Sequence, residues 1–251
     1  MAGHSKWSKV KHIKGPLDQK RGQLFSKLAK EITVAAKLGG GDPDGNIRLR
    51  SAILAARSQS MPNDNIDRAI KRGTGDGPEA ANLEEIIYEG YAPAGVAVLI
   101  EAATDNKNRT AADLRSIFSR HHGNLANSGS VSYMFHRKGQ ITVPKSAVEE
   151  DKLLEAALDA GAEDVNADDG HHVITTAHDR LYAVTEALRK AGIDPDAQKL
   201  TYIPETTIQI SDENAATQVI HLCDALEEND DVQNVHANFE VTDDVLAKVS
   251  A

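Results

Sequence analysis

The hydrophobic period of the chain changes once, at Gly73-Thr-Gly-Asp-Gly-Pro78, and that change limits the folds open to it. Before this point apolar residues recur at helical spacing; after it, short β-rich runs alternate with amphipathic helices. Leu24, Phe25, Leu28, Ala29, Ile32, Ala35 and Ala36 share one face of a helix from Asp18 to Leu38. Pro16 stands near its start, with Asp18 in the first turn, where the helix dipole favours an anion. Gly39-Gly40-Gly41 ends it, since glycine accepts a left-handed cap. A second helix, capped by Asp44 or Asn46, runs to about Ser60 with Ile47, Ala52, Ile53 and Ala56 turned inward, and Met61-Pro62 breaks it. A third, Asp64 to Arg72, buries Ile66 and Ile70. Three helices on short loops make one small bundle, and Gly73–Pro78 reads as an exposed hinge behind it.

The remainder reads as strands at Glu85–Tyr91 and Gly95–Ala103 around the turn Ala92–Gly95, a helix at Asn108–His121, then strands at Ser130–Phe135 and Gln140–Val143. A helix at Glu149–Ala160, strands at Asp164–Asn166 and His172–Thr176 and a helix at Asp179–Ala191 follow. The chain finishes with a strand at Thr206–Ile210, a helix at Glu213–Glu228 and a strand at Val232–Glu240. This order predicts an α+β multidomain protein, and 251 residues suffice for two or three small cores.

Charge divides at the same place. The net charge is −10, which alone argues against nucleic acid. Residues 1–72, however, hold 15 Lys and Arg against 6 Asp and Glu, while the rest holds 13 against 32. A basic head on an acidic body suggests a face made for a polyanion. The first sixteen residues contain Lys6, Lys9, Lys11 and Lys14, two histidines and no acid, and Trp7 is the only tryptophan. These lysines can neutralise phosphates, and an aromatic among cations can stack on an unpaired base; Trp7 could equally pin the tail to its own domain. On the first helix Lys20, Lys27, Lys30 and Lys37 lie roughly opposite the apolar stripe and read as a solvated, nucleic-acid-binding stripe, whose replacement should weaken that binding with little loss of folding. Arg48, Arg50 and Arg57 charge the second helix; Arg68, Lys71 and Arg72 end the third, where they also suit the helix dipole. Arg109 lies at a strand-to-helix turn, a place that attracts phosphate; helix capping explains its polar neighbours but not Arg109 itself.

Catalytic and metal chemistry find no foothold. There is no Gly-x4-Gly-Lys loop, no Gly-x-Gly-x-x-Gly after a strand and no His-Glu-x-x-His. The pairs His121-His122 and His171-His172 are adjacent rather than four apart, so they do not converge on one metal. No catalytic residue, cofactor or small-molecule substrate is predicted. The single cysteine, Cys223, shares a helix face with Ala216, Val219, Ile220 and Leu226 and reads as buried; one cysteine permits no intramolecular disulfide and fits a reducing compartment. No apolar run approaches the ~20 residues of a membrane span, and the basic N-terminus lacks a secretory apolar stretch, so a cytoplasmic protein without membrane partners is expected.

Several segments carry a resemblance: Met-Ala-Gly-His-Ser-Lys-Trp at 1–7, Gly-Gly-Asp-Pro at 40–43, Asn-Ile-Arg-Leu-Arg at 46–50, Met-Pro-Asn-Asp-Asn-Ile at 61–66, Tyr-Glu-Gly-Tyr at 88–91, Thr-Asp-Asn-Lys-Asn-Arg-Thr at 104–110 and Gly-Ser-Val at 129–131. Val-Gln-Asn-Val at 232–235 extends it more loosely. In family order these segments resemble the YebC/PmpR family, whose mitochondrial relative activates translation of a cytochrome oxidase subunit. The resemblance implies a basic three-helix domain at 1–78, a discontinuous α/β middle domain at 79–136 and 204–251, and a third α/β domain inserted at 137–203. Gly15-Pro16 departs from the family's more helical stretch, and Ala92 and His122 stand where it usually has glycine. The resemblance also implies a transcriptional regulator that binds DNA through the basic domain. The alternative is a translation factor on the ribosome and its RNA, which needs shape and phosphate contacts rather than base reading.

Overall fold

The computed structural model describes residues 17–75, 82–168, 170–242 and 245, with side chains of the first helix from Arg21 onward. The chain forms two compact units, Met1–Phe135 with Pro204–Ala251, and His136–Ile203. The first unit begins with α1 (Leu17–Gly39), α2 (Ile47–Ser58) and α3 (Asn63–Thr74). Ile32, Ala35 and Ala36 of α1 pack with Leu49, Ala52, Ile53 and Ala56 of α2 and Ile66 and Ala69 of α3 around Met61. The helical spacing in the sequence places these faces together. Ile47 is the exception at 45% exposed, and Ile70 is only half-buried. Asn46, not Asp44, caps α2: its side chain accepts from Leu49 N and donates to the carbonyls of Ala35 and Gly40, tying the α1 end to the α2 start. Gly73 lies inside α3, where a Cβ would stand 2.3 Å from the Thr33 carbonyl oxygen. Gly75, at a φ of 80°, closes the helix. The hinge expected at Gly73–Pro78 is therefore corrected at its start, because close helix packing, not flexibility, is the use of Gly73; residues 76–78 lie outside the described residues.

The α/β part of this unit is an antiparallel sheet in the order β3-β1-β2-β9, with β1 at Glu84–Tyr91, β2 at Ala97–Thr104, β3 at Asn124–Leu125 and β9 at Val232–Ala237. β2 pairs with β1 from Ala97↔Tyr91 to Thr104↔Glu84 and with β9 on its other edge. Its run of buried apolar residues suits this central place. Helices α4 (Lys107–Arg120) and α7 (Glu213–Glu227) cover the sheet with Leu114, Phe118, Val219, Leu222, Cys223 and Leu226. Gly90 makes room for the Phe118 ring, which a Cβ would approach to 2.5 Å. The expected strand Val232–Glu240 divides at buried Asn238, which exchanges hydrogen bonds with Ala97; Phe239–Val241 (β10) then pairs parallel with Ile208–Ile210 (β8). The strand expected at Ser130–Phe135 is absent up to Met134, and only Phe135 is extended. Residues 130–134 form a tight loop with a 3₁₀ turn at Ser132–Met134, shaped by Glu89 as described below.

The second unit has its own four-stranded sheet, β5-β6-β4-β7, built from Asp164–Asp168 (β5), His171–Ala177 (β6), Phe135–Pro144 (β4) and Ala197–Pro204 (β7). Helices α5 (Glu150–Asp159) and α6 (Leu181–Lys190) pack Leu153, Ala157, Leu181, Val184 and Leu188 onto Ile141, Val143 and Ile174. The strand at Ala197–Pro204 has no counterpart in the sequence reading, because its alternation is weak and a proline closes it.

Candidate nucleic-acid interface

Three of the four lysines on α1 meet protein oxygens, so the solvated lysine stripe expected from spacing is corrected. Lys27 Nζ donates to the Glu227 carbonyl at 2.6 Å, the last residue of α7. Lys30 Nζ donates to the Asp230 carbonyl and to Asp231 Oδ1, both at 2.7 Å, and Lys37 Nζ donates to the Leu83 carbonyl at 2.9 Å. Lying opposite the apolar stripe turns these lysines toward the α/β part rather than toward water. Arg48 belongs to the same junction. It donates to Glu31 within the helical part, at 2.8 and 3.0 Å, and to both oxygens of Glu85 on β1. Burial works against its charge, but the hydrogen bonds it donates to Glu85 and Glu31 outweigh that and raise its pKa further.

Asp231 is the node. The residue is 7% exposed. Its Oδ2 accepts from Arg109 at 2.9 Å, Thr110 at 2.7 Å and Thr104 at 3.2 Å, while Oδ1 faces Lys30. Burial alone would push this carboxyl up. Hydrogen bonds from Lys30, Arg109 and Thr110 prevail and bring it down to about 2. Arg109 also pairs with Asp105 at 2.8 Å, and Asn106 caps α4 by accepting from Arg109 N. The turn Thr104–Thr110 thus does hold an anion at a helix start, and that anion is the protein's own carboxylate. Lys30, Arg72 and Arg109 line an open cleft of about 950 Å³ together with Asp105, Asp113 and Asp230.

A second buried acid shapes a loop. Glu89, 3% exposed, accepts backbone N–H groups from Gly129, Val131 and Ser132 at 2.6–2.8 Å, and Tyr91 Oη donates to the Ser130 carbonyl. Burial would raise the Glu89 carboxyl, but the bonds from Val131, Gly129 and Ser132 win and lower it. The loop so fixed leaves Tyr133 70% exposed.

With the geometry in place, comparison with known proteins is decisive. The TACO1/YebC protein N-terminal domain matches residues 5–76, and the TACO1/YebC second and third domain matches residues 83–239. The chain belongs to the TACO1/YebC family. A probable transcriptional regulatory protein of Rubrobacter xylanophilus is 54% identical over 250 residues, covering 100% of both chains. One of Aquifex aeolicus is 52% identical over 249 residues, covering 99% of this chain and all of its own. The crystal structure of a conserved hypothetical protein from Aquifex aeolicus is similar with a TM-score of 0.86 at 51% identity, over 95% of this chain and 98% of that one. The relatives' names point to a regulatory protein rather than an enzyme. Among the described residues no helix is long and apolar enough to cross a membrane.

Within this family fold the remaining cations sort by partner. Arg50 is exposed and donates to the carbonyls of Pro43 and Asp44, so its charge is not neutralised by an acid in those bonds. Arg57, Arg68 and Lys71 are exposed. Arg72 is half-buried at the cleft. Lys6, Trp7, Lys9, Lys11, Lys14 and the Lys20 side chain lie outside the described residues. Sequence reasoning missed Asp231 and Glu89. The acidic run Glu227-Glu228-Asn229-Asp230-Asp231 was the available signal for the first, and the family segment Tyr88-Glu-Gly-Tyr91 for the second.

Proposed function

We propose that the chain regulates gene expression by binding nucleic acid through its helical part, with Arg50, Arg57, Arg68 and Lys71 and the tail residues Lys6, Lys9, Lys11 and Lys14 on phosphates and Trp7 on an unpaired base. The observation that supports this reading is the set of cations left over once the junction has taken Lys27, Lys30, Lys37 and Arg48: α2 and α3 still present exposed guanidinium and ammonium groups, and the sequence before α1 adds four lysines and no acid. Phosphate neutralisation needs little more than such charge density.

Structured RNA, ribosomal RNA included, suits this surface better than a specific DNA duplex. A recognition helix should aim Asn, Gln or Arg at base edges. The exposed residues of α3 are Asn63, Asp64, Asp67, Arg68, Lys71 and Thr74, while Asn65 and Arg72 are half-buried, so Asp64 and Asp67 stand among the few side chains that could read bases. Two carboxylates on that face would meet the phosphates of a groove. The test is competition at one salt concentration among a candidate promoter duplex, its scrambled counterpart and ribosomal RNA. RNA should compete at least as well as either duplex, and the two duplexes should compete alike. A promoter preference worth about 4–10 kcal/mol, the usual gain of specific readers, would overturn the RNA reading and leave a sequence-specific transcription factor.

A further inference from the structure

We infer that the lysine face of α1 is a second phosphate-binding surface, closed by the α/β part and opened when a nucleic-acid backbone takes its place. The occupant rests on the nucleic-acid reading above; the closure rests on the junction itself. The surface that Lys27 and Lys30 meet imitates a phosphate strand. Glu227 supplies the last carbonyl of α7, at the negative end of the helix dipole, and Asp230 and Asp231 follow within one turn. Successive anionic or partly anionic oxygens are what a phosphodiester backbone also offers to ammonium groups one helical turn apart.

Two features make opening inexpensive. Among the described residues no buried apolar cluster spans the junction. The helical core runs from Ile32 to Ala69 with Phe25, Leu28, Ala29 and Ile70 around it, and the body core starts beyond Tyr88, without a shared member. The named links across the junction are instead hydrogen bonds and ion pairs, which salt and competing anions weaken. The charged groups also keep partners when the two parts separate. Asp231 retains Arg109, Thr110 and Thr104 after Lys30 leaves, and Arg48 retains Glu31 after Glu85 leaves. The orphaned buried charge that normally makes breaking an ion pair costly does not arise. Lys30 itself, 22% exposed in its side chain, passes to water or to phosphate.

The test uses the full chain carrying Ser58→Cys on α2 and Ser119→Cys on α4, both exposed positions, labelled with a fluorescent donor and acceptor; fully buried Cys223 is shielded from label. Energy transfer is read at fixed salt while single-stranded RNA of random sequence is added, with binding followed separately by gel mobility. Transfer should fall in step with binding. Lys30→Gln should lower it before any RNA is present, raising the open population by roughly tenfold. Lys27→Gln, which leaves Asp231 untouched, gives the same reading where Lys30→Gln does not fold. RNA that binds with transfer unchanged would overturn the closed surface while the nucleic-acid reading stands. Absence of RNA binding would overturn the nucleic-acid reading and the occupant together.

Discussion

Asp231→Asn removes the charge at the centre of the junction and keeps its volume. In the native protein one carboxylate oxygen faces Lys30 and the other collects Arg109, Thr110 and Thr104. An amide offers one acceptor oxygen and one N–H₂ group, so either Lys30 or the Arg109–Thr110 side must face a donor. Removing one partner of a fully buried pair costs about 3–5 kcal/mol. Here the Arg109 side chain is 48% exposed and regains water, so the loss should be about 2–3 kcal/mol at pH 7. The acid dependence identifies the cause. The Asp231 carboxyl titrates at about 2, below its ordinary 3.8, so its stabilisation is complete well above 3.8 and disappears as pH falls through 3.8 toward 2. After screening by solvent this linked share is about 1–2 kcal/mol. Urea denaturation followed by circular dichroism at pH 7, 5, 4 and 3 should show the gap between wild type and variant narrowing only below about pH 5. A gap constant from pH 7 to 3 would refute the argument that the four donors hold this carboxylate ionised.

Three further outcomes follow from the same geometry. Gly73→Ala should lose about 1–3 kcal/mol in thermal unfolding, because the added Cβ meets the Thr33 carbonyl at 2.3 Å and the Ala36 Cβ at 2.8 Å; a gain, as alanine's helix propensity alone would give, refutes the close packing of α1 and α3. Glu89→Gln should cost about 1–3 kcal/mol, since an amide cannot accept all three N–H groups of the 129–132 loop; unchanged stability would show that the loop does not need the carboxylate. The triple change Arg57→Gln, Arg68→Gln and Lys71→Gln should leave stability within about 0.5 kcal/mol per site while weakening RNA binding and flattening its log–log salt slope by about 0.7 for each phosphate no longer neutralised; an unaltered slope places the phosphate-binding cations elsewhere.

Local elements are legible in the sequence because their causes are local. The α1 stripe, the Met61-Pro62 break and the α4 start each rest on residues within a few positions of one another, and the structure places helix ends within about two residues of the spacing-based limits, as element boundaries commonly vary. His122 carries a φ of 60°, a left-handed conformation that favours glycine, whereas Ala92, at a φ of −83°, needs no such freedom. What sequence does not supply is partnership across distance. Asp231 lies 201 positions from Lys30 and 122 from Arg109, and a stripe's direction on a helix says nothing about what stands beyond it. Composition also biases the reading, since acids are presumed solvated; Glu89 and Asp231 are buried because surrounding N–H and O–H donors replace water.

The charge division of the chain therefore has two origins. A basic head on an acidic body suggests a surface for a polyanion, yet part of that contrast is internal. Lys30 meets Asp231 and Arg48 meets Glu85, while the Lys27 and Lys37 ammonium groups each donate to a backbone carbonyl of the body. The head and body are thus complementary to each other within the chain. A count of lysines consequently overstates the free cationic surface of the closed molecule, and the same count becomes accurate once the junction opens. The two states should thus differ in salt dependence. Binding that leaves the junction closed draws on the α2, α3 and tail cations alone, whereas binding that opens it adds up to three α1 lysines and a slope steeper by as much as about 2, at roughly 0.7 per phosphate neutralised on a single strand.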